Sequence, residues 1–341
     1  MTSNFPRRSL GDTTVSALGL GCMGMSTMLF MGMTRNEDEV FDTLSKAADM
    51  GITFWDTSDF YGDNEQLIGK WFRKTGRRNE IFLATKFGCV RGSTPGQITV
   101  SGTPEYVKAA CEQSLKTLGV DYIDLYYQHR VDTNTPIEKT VEAMAQLKEQ
   151  GKIRYLGLSE CSARTLERAC KVHPIAACQM EFSPFAMEVE ETGFLETARS
   201  LGVKIVAYSP LGRGFLTGAI KSRADMDPKD MRLHMYPRFS EENFPGNIKL
   251  VEIFESIAKE KGCTTSQVAL AWVLAQGDDF IPIPGTKHMK YLLDNAGAVH
   301  IKFTKEDEQR VRDGLDAIGG AKGARYPESI LSTCFVDSPE I

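Results

Sequence analysis

The hydrophobic pattern of the chain repeats one form: an amphipathic stretch ends in glycine and a short β-branched or aromatic run follows. Gly51 precedes Ile-Thr-Phe-Trp-Asp, and Gly119 precedes Val-Asp-Tyr-Ile-Asp-Leu-Tyr-Tyr. Gly151, Gly202 and Gly277 each precede a comparable run. Glycine is favoured just past a helix end because it adopts positive φ without a Cβ clash. Helix starts are marked as well. Thr135-Pro136-Ile137-Glu138 combines an N-cap, a first-turn proline and a capping-box glutamate, and Thr103-Pro104 repeats the first two features. Thr34 with Glu37 and Thr264 with Gln267 are further capping boxes. Inside the first helix Val40, Phe41, Leu44, Ala47 and Ala48 fall at helical spacing. The apolar runs predict eight strands, near 17–21, 52–56, 81–86, 123–128, 153–159, 177–181, 204–209 and 280–284. Strand and helix alternating in this way build parallel βαβ units, and eight of them close into a (β/α)8 TIM barrel. An open doubly wound sheet is the alternative.

Three segments fall outside the rhythm. Residues 5–16 suit a small hairpin plugging one barrel end, and 211–247 form a long, polar, proline-bearing insertion after the seventh strand. Residues 319–341 form a glycine-rich and then mixed tail. Long segments without helical pattern are often lids or binding loops. The chain, 1–341, reads as a single domain with the barrel over 17–318.

Length and composition agree with a large core. At 341 residues, 42% hydrophobic and 25% charged, the chain is ordinary for a globular protein. Folding at this size hides roughly 75% of the surface of the unfolded chain. No run of apolar residues is long enough to span a bilayer, and Met1 to Arg8 lack the apolar core of a secretory signal. Net charge is -5 without a Lys/Arg run, so neither nucleic acid nor an anionic membrane is an expected partner. Eight scattered cysteines with no Cys-x-x-Cys pair suit reduced thiols and a cytoplasmic setting.

Gly19-Leu20-Gly21-Cys22-Met23-Gly24 matches G-x-G-x-x-G, yet the helix that should start at its third glycine is missing from the pattern. The helix signal begins only at Thr34, so a tight strand exit is the expected role of these glycines. No tyrosine has a lysine four positions on, as short-chain dehydrogenases require. No two of the five histidines have ligand spacing, so no metal site is expected, and G-x-S-x-G is absent.

In a closed barrel, chemistry gathers where strands pass into the following loops. That rule selects Asp56 at the end of strand two, Tyr61 in the loop behind it, Lys86 at the end of strand three, and His129 after strand four. A phenol titrates near pH 10 and is a poor acid at neutrality unless its anion is stabilised. An ammonium on Lys86 would favour the phenolate, and Asp56 would balance a buried Lys86. His129 would hydrogen-bond a substrate oxygen from the other side. The set suits protonation of a carbonyl oxygen during its reduction.

Those residues lie in motifs that resemble the aldo-keto reductase family: Gly51 to Ser58 with Tyr61-Gly62, Thr85-Lys86-Phe87 and Asp124 to His129. Gly157 to Glu160, Gln179 to Ser183, Tyr208 to Gly214 and Ile283 to Lys287 continue the resemblance from about Arg7 to Gly319. With Pro237 to Phe244, the whole is similar to the branch of plant auxin-induced-protein-like reductases and perakine reductase. The resemblance implies NADPH-dependent reduction of a small-molecule carbonyl, with NADH the lesser cofactor. It implies the tetrad Asp56, Tyr61, Lys86 and His129, with Tyr61 as proton donor and Lys86 and Asp56 lowering its pKa. It implies that Ser159 and Gln179 hold the nicotinamide carboxamide and that Tyr208 stacks on the ring. Ser209, Leu211 and Arg213 would line the pyrophosphate path, Gly285, Thr286 and Lys287 would lie near the adenosine phosphates, and Asn295 near the adenine.

Two positions depart from the family pattern. Glu160 stands where many members have asparagine, and Tyr291 where many have an arginine, leaving Lys287, His288 and Lys290 for a 2′-phosphate. The five methionines and Phe30 in residues 23–33 suit an adaptable apolar wall of the substrate site. The family resemblance also extends to potassium-channel β-subunits, so a cofactor-binding regulatory subunit is the alternative function. Oligomeric state is not legible in the sequence.

Overall fold

A computed structural model describes residues 4–27, 35–91 and 98–341. Among the described residues twelve strands follow in chain order: β1 (Arg7–Leu10), β2 (Thr13–Ser16), β3 (Leu20–Gly21), β4 (Phe54–Asp56), β5 (Phe82–Phe87), β6 (Cys89–Arg91), β7 (Ile98–Val100), β8 (Ile123–Gln128), β9 (Ile153–Ser159), β10 (Ala177–Glu181), β11 (Lys204–Tyr208) and β12 (Phe280–Pro282). Eight of them form one parallel sheet in the order β12-β11-β10-β9-β8-β5-β4-β3. The sheet curls until its ends meet. Gly19 N donates to Pro282 O at 2.9 Å, Gly21 N donates to Pro284 O at 3.2 Å, and Gly21 bridges Gly285 in parallel. The result is the closed (β/α)8 barrel, and the doubly wound alternative would have left β3 and β12 as unpaired edges.

Each barrel strand coincides with a run in the hydrophobic pattern. The ladders are shorter than the runs at the seam. Pro282 and Pro284 carry no N–H to donate, so β12 stops after three residues. Glycine punctuation holds where it was expected: Gly51 and Gly119 close helices Glu37–Met50 and Pro104–Leu118 in the left-handed region, at φ 85° and 68°. Thr103 caps its helix through Tyr106 N, and Thr264 and Gln267 form the expected box. Thr135 does not act as a cap. Pro136 stays extended, the helix begins at Ile137, and the Thr135 hydroxyl donates to Asp132 instead, at 2.8 Å. Thr34 lies outside the described residues, and Asn36 caps the first helix.

β1 and β2 form the expected hairpin. Leu10 and Val15 join Phe54, Leu125, Val206 and Ile281 in the core inside the barrel. The Ser16 hydroxyl accepts from Phe54 N at the start of β4, and Arg8 donates to Phe280 O at the start of β12, so the plug closes the N-terminal end. A larger core lies between the sheet and its helices, with Trp55, Trp71 and Trp272 fully buried. Chemistry is left to the opposite end, where the strands finish.

The insertion after β11 is an ordered run of short turns, 212–217, 223–225 and 237–239, with a helix over Met231–Met235. It ends at Asn243, because Pro245 sits in the first turn of a helix over Phe244–Lys261. The tail packs back on the barrel: Val336 bridges Cys161, and Ser162 N donates to Val336 O at 3.1 Å. The β6–β7 hairpin in the loop after β5 had no counterpart in the sequence pattern. Gly24 sits in a single turn, Met23–Met25, as the failed dinucleotide motif implied.

Candidate active site

Strand register brings the four selected residues to one mouth. Asp56 ends β4, Lys86 lies next to last in β5 opposite Tyr127, and His129 follows β8. The 57–63 loop that carries Tyr61 is pinned by Asn64, whose amide donates to Cys22 O and the Ser26 hydroxyl while its carbonyl accepts from Thr57.

Lys86 is fully buried and all three of its N–H bonds have acceptors. Its Nζ lies 2.5 Å from Asp56 Oδ1, 2.7 Å from Thr57 O and 3.4 Å from Tyr61 Oη. Gln179 reaches across the barrel to donate to the second carboxylate oxygen of Asp56 at 2.7 Å. The His129 ring meets the Tyr61 ring edge-on, centroids 5.7 Å apart, and its Nδ1 contacts the Ser58 hydroxyl at 3.2 Å.

The electrostatics follow from burial. Burial works against the Lys86 ammonium, but Asp56 and Tyr61 outweigh it and raise its pKa. Burial followed by the charges of Lys86 and Arg130 drives His129 well below the usual histidine value, so its imidazole is neutral at pH 7. Tyr61 corrects the expectation of a lowered phenol. Burial pushes its pKa up, Lys86 opposes that, and Asp56 adds to the rise rather than reducing it. The phenol therefore holds its proton at neutrality, and Lys86 is placed to favour the anion once the proton has left.

The residues singled out for a cofactor occupy the same end. Ser159 and Gln179 are register partners on β9 and β10, and Ser159 Oγ is buried without a hydrogen-bond partner. Tyr208 ends β11. The loop behind it turns through left-handed backbone at Ser209 (φ 50°), Gly212 (57°), Arg213 (55°) and Gly214 (92°), with Leu211 between. Gly285 abuts Gly21 across the seam. Thr286 accepts from His288 N, Lys287 O accepts from Thr43, and Asn295 is buried on the helix Met289–Gly297. Both terminal nitrogens of the Arg213 guanidinium engage Glu181, at 2.7 and 2.8 Å.

The family model that describes the aldo/keto reductase family matches residues 17–315. The chain belongs to the aldo/keto reductase family. It is 50% identical to aldo-keto reductase str7 of Strobilurus tenacellus and 47% identical to the aldo-keto reductase yakc [NADP(+)] of Schizosaccharomyces pombe, each match covering 98% of both chains. Among solved structures it superimposes on the glycerol dehydrogenase AKR11B4 of Gluconobacter oxydans with a TM-score of 0.82 at 27% identity, covering 93% of this chain and 96% of that one. It resembles the thermostable aldo-keto reductase Tm1743, solved with the inhibitor epalrestat, with a TM-score of 0.72 at 30% identity, covering 91% and 100%. The protein is accordingly an oxidoreductase of the carbonyl-reducing kind.

Two features of this aldo/keto reductase were not drawn from its sequence. One is the network around Glu160, which accepts from Glu181 N, Tyr208 Oη and Arg325 of the tail. Burial favours the neutral acid, but Arg325, together with Arg130 and the Tyr208 hydroxyl, more than offsets it and holds the Glu160 carboxyl at about 2. The departure from asparagine was one sequence signal of it. The other is Asp59, which burial and then repulsion from Glu65 push up to about 7. The methionine-rich segment divides: Met25 is buried in the core, Met23 is exposed, and Met28, Phe30, Met31 and Met33 lie outside the described residues.

Proposed function

We propose that this reductase converts aldehydes or ketones to alcohols with NADPH, and that Tyr61 donates the proton. The observation that carries this reading is the single ammonium of Lys86 shared between the Asp56 carboxylate and the Tyr61 hydroxyl. Tyr61 Oη accepts from Lys86, so its own O–H is free to point at a carbonyl oxygen. Neutral His129, with Ser58 at Nδ1, offers Nε2–H to the same oxygen and orients the substrate. As the proton leaves Tyr61 for that oxygen, the phenolate is held by Lys86, and a proton from water restores it. A bound reduced nicotinamide would supply the hydride to the carbonyl carbon.

The donor set fits such a group. The orphaned Ser159 hydroxyl and the Gln179 amide suit a carboxamide, and the Tyr208 ring suits the face of a nicotinamide. The backbone of Ser209 to Arg213 and of Gly285 to Lys287 suits phosphates, and buried Asn295 suits adenine. NADPH is preferred over NADH because Lys287, His288 and Lys290 surround the position of Tyr291, and because one relative carries NADP(+) in its name. We also infer a small-molecule carbonyl as the partner and, from the scattered cysteines, a reducing, cytoplasmic compartment.

The test is consumption of NADPH and, separately, NADH over a panel of aldehydes and ketones. Turnover that favours NADPH supports the reading. Tight cofactor binding with no turnover on any carbonyl would overturn it in favour of a regulatory subunit.

A further inference from the structure

Four non-glycine residues among those described have left-handed backbone: Glu160, Ser209, Arg213 and Phe335. Such conformations are unfavourable for residues with a Cβ and persist only where their surroundings enforce them. Three of the four touch one side chain or its immediate ion pairs. The Arg325 side chain is 1% exposed although it belongs to the tail. One guanidinium nitrogen donates to Glu160 Oε1 at 2.9 Å, Glu181 Oε2 at 3.1 Å and Tyr208 Oη at 3.1 Å, and the other donates to Glu160 Oε2 at 2.6 Å. Its plane lies over Phe335 at 5.6 Å, and Glu181 is the carboxylate that also holds Arg213.

Glu160 and Glu181 are two carboxylates buried side by side, which is costly without cations. Arg325 is the group that binds both, and it does so while touching Tyr208. We propose that Arg325 is a positioning residue for cofactor binding: the tail carries a guanidinium fork that fixes Glu160, and Glu160 with Arg325 fixes the Tyr208 ring as a platform. The Tyr208 hydroxyl donates to Glu160 at 2.8 Å and accepts from Arg325, so the ring has both its tilt and its depth set from behind. This deepens, and rests on, the reading of Tyr208 as the nicotinamide platform. It gives residues 319–341 a function in the chemistry that family resemblance did not supply. Lysine cannot replace the fork, because a point-like ammonium cannot span two carboxylates and a phenol in one plane.

The experiment compares wild type with Arg325→Lys, Tyr208→Phe and the double variant. It measures the NADPH dissociation constant by calorimetry, the KM for a carbonyl substrate, kcat and the melting temperature. Arg325→Lys keeps the buried charge and so keeps the fold. The expected result is at least a tenfold rise in the NADPH dissociation constant for Arg325→Lys, with carbonyl KM within about twofold of wild type. Tyr208→Phe should show a similar rise, and the double variant should be no weaker than the worse single one, since both break one tether. An NADPH dissociation constant within twofold of wild type in Arg325→Lys overturns the proposal, as does a double variant whose losses multiply. Wild type that fails to bind NADPH overturns the platform reading and the proposal with it. Normal wild-type binding with an unaffected Arg325→Lys overturns the proposal alone.

Discussion

Replacing Lys86 by methionine removes an ammonium 3.4 Å from Tyr61 Oη and 2.5 Å from Asp56 Oδ1 while keeping most of the side-chain volume. Two unit charges at the first distance, with an effective dielectric constant of about 20, interact by about 5 kcal/mol. Asp56 cancels part of that field at the phenol, so the expected loss in kcat lies between about 10²- and 10⁴-fold, the range of a positioned general acid. Stability should fall as well. Asp56 would keep only the Gln179 amide, and stranding one member of a buried pair costs about 3–5 kcal/mol. The assay is steady-state NADPH consumption beside urea unfolding, for Lys86→Met and for Lys86→Met with Asp56→Asn. Removing both charges should recover most of the lost stability and none of the lost rate. A single variant within about threefold of wild-type kcat, or a double variant that regains the rate, would refute the assignment of Lys86 to the phenolate.

Glu160 should make the protein acid-sensitive. Its folded pKa lies near 2 and its ordinary value is 4.5, so its contribution is present above pH 4.5 and lost as pH falls toward 2. Urea unfolding between about pH 5 and about pH 3 should show a steeper loss for wild type than for Glu160→Gln. Asp59 has the opposite sign. Its ordinary value is 3.8 and its folded pKa is raised to about 7, so its cost to the fold is absent below 3.8, grows as pH rises toward 7 and is constant above, and Asp59→Asn should stabilise the protein fully above pH 7 and progressively less as pH falls toward 3.8. A Cβ on Gly157 would sit 2.4 Å from the Tyr127 ring between β8 and β9, so Gly157→Ala should cost about 1–3 kcal/mol by thermal or chemical unfolding.

The barrel was legible because each βα unit writes its own local signals. A run such as Ile153 to Ser159 is bounded by Gly151 before it and by the capping Ser162 after it, and these act within a few residues of where they stand. Closure was legible only as a count of eight; the hydrogen bonds that perform it join Gly19 and Gly21 to prolines more than 260 residues away. The position of Lys86 at a strand end was readable, but its 2.5 Å pairing with Asp56 required the register of β4 against β5. The net shift of Tyr61 is not legible in the sequence, because pairwise charge is readable from residue types and burial is not. The contact of Gln179 with Asp56 crosses the barrel interior, and no periodicity encodes that. The Glu160–Arg325 network joins the end of β9 to the tail, and the glutamate in place of asparagine hinted at it without naming its partner.

Tyr61→Phe tests the proton donor most directly, because it removes one oxygen and leaves Asp56, Lys86 and His129 in place. NADPH binding should stay within about twofold of wild type while kcat for carbonyl reduction falls by about 10²–10⁴-fold. Turnover near the wild-type rate, with NADPH bound normally, would contradict the account.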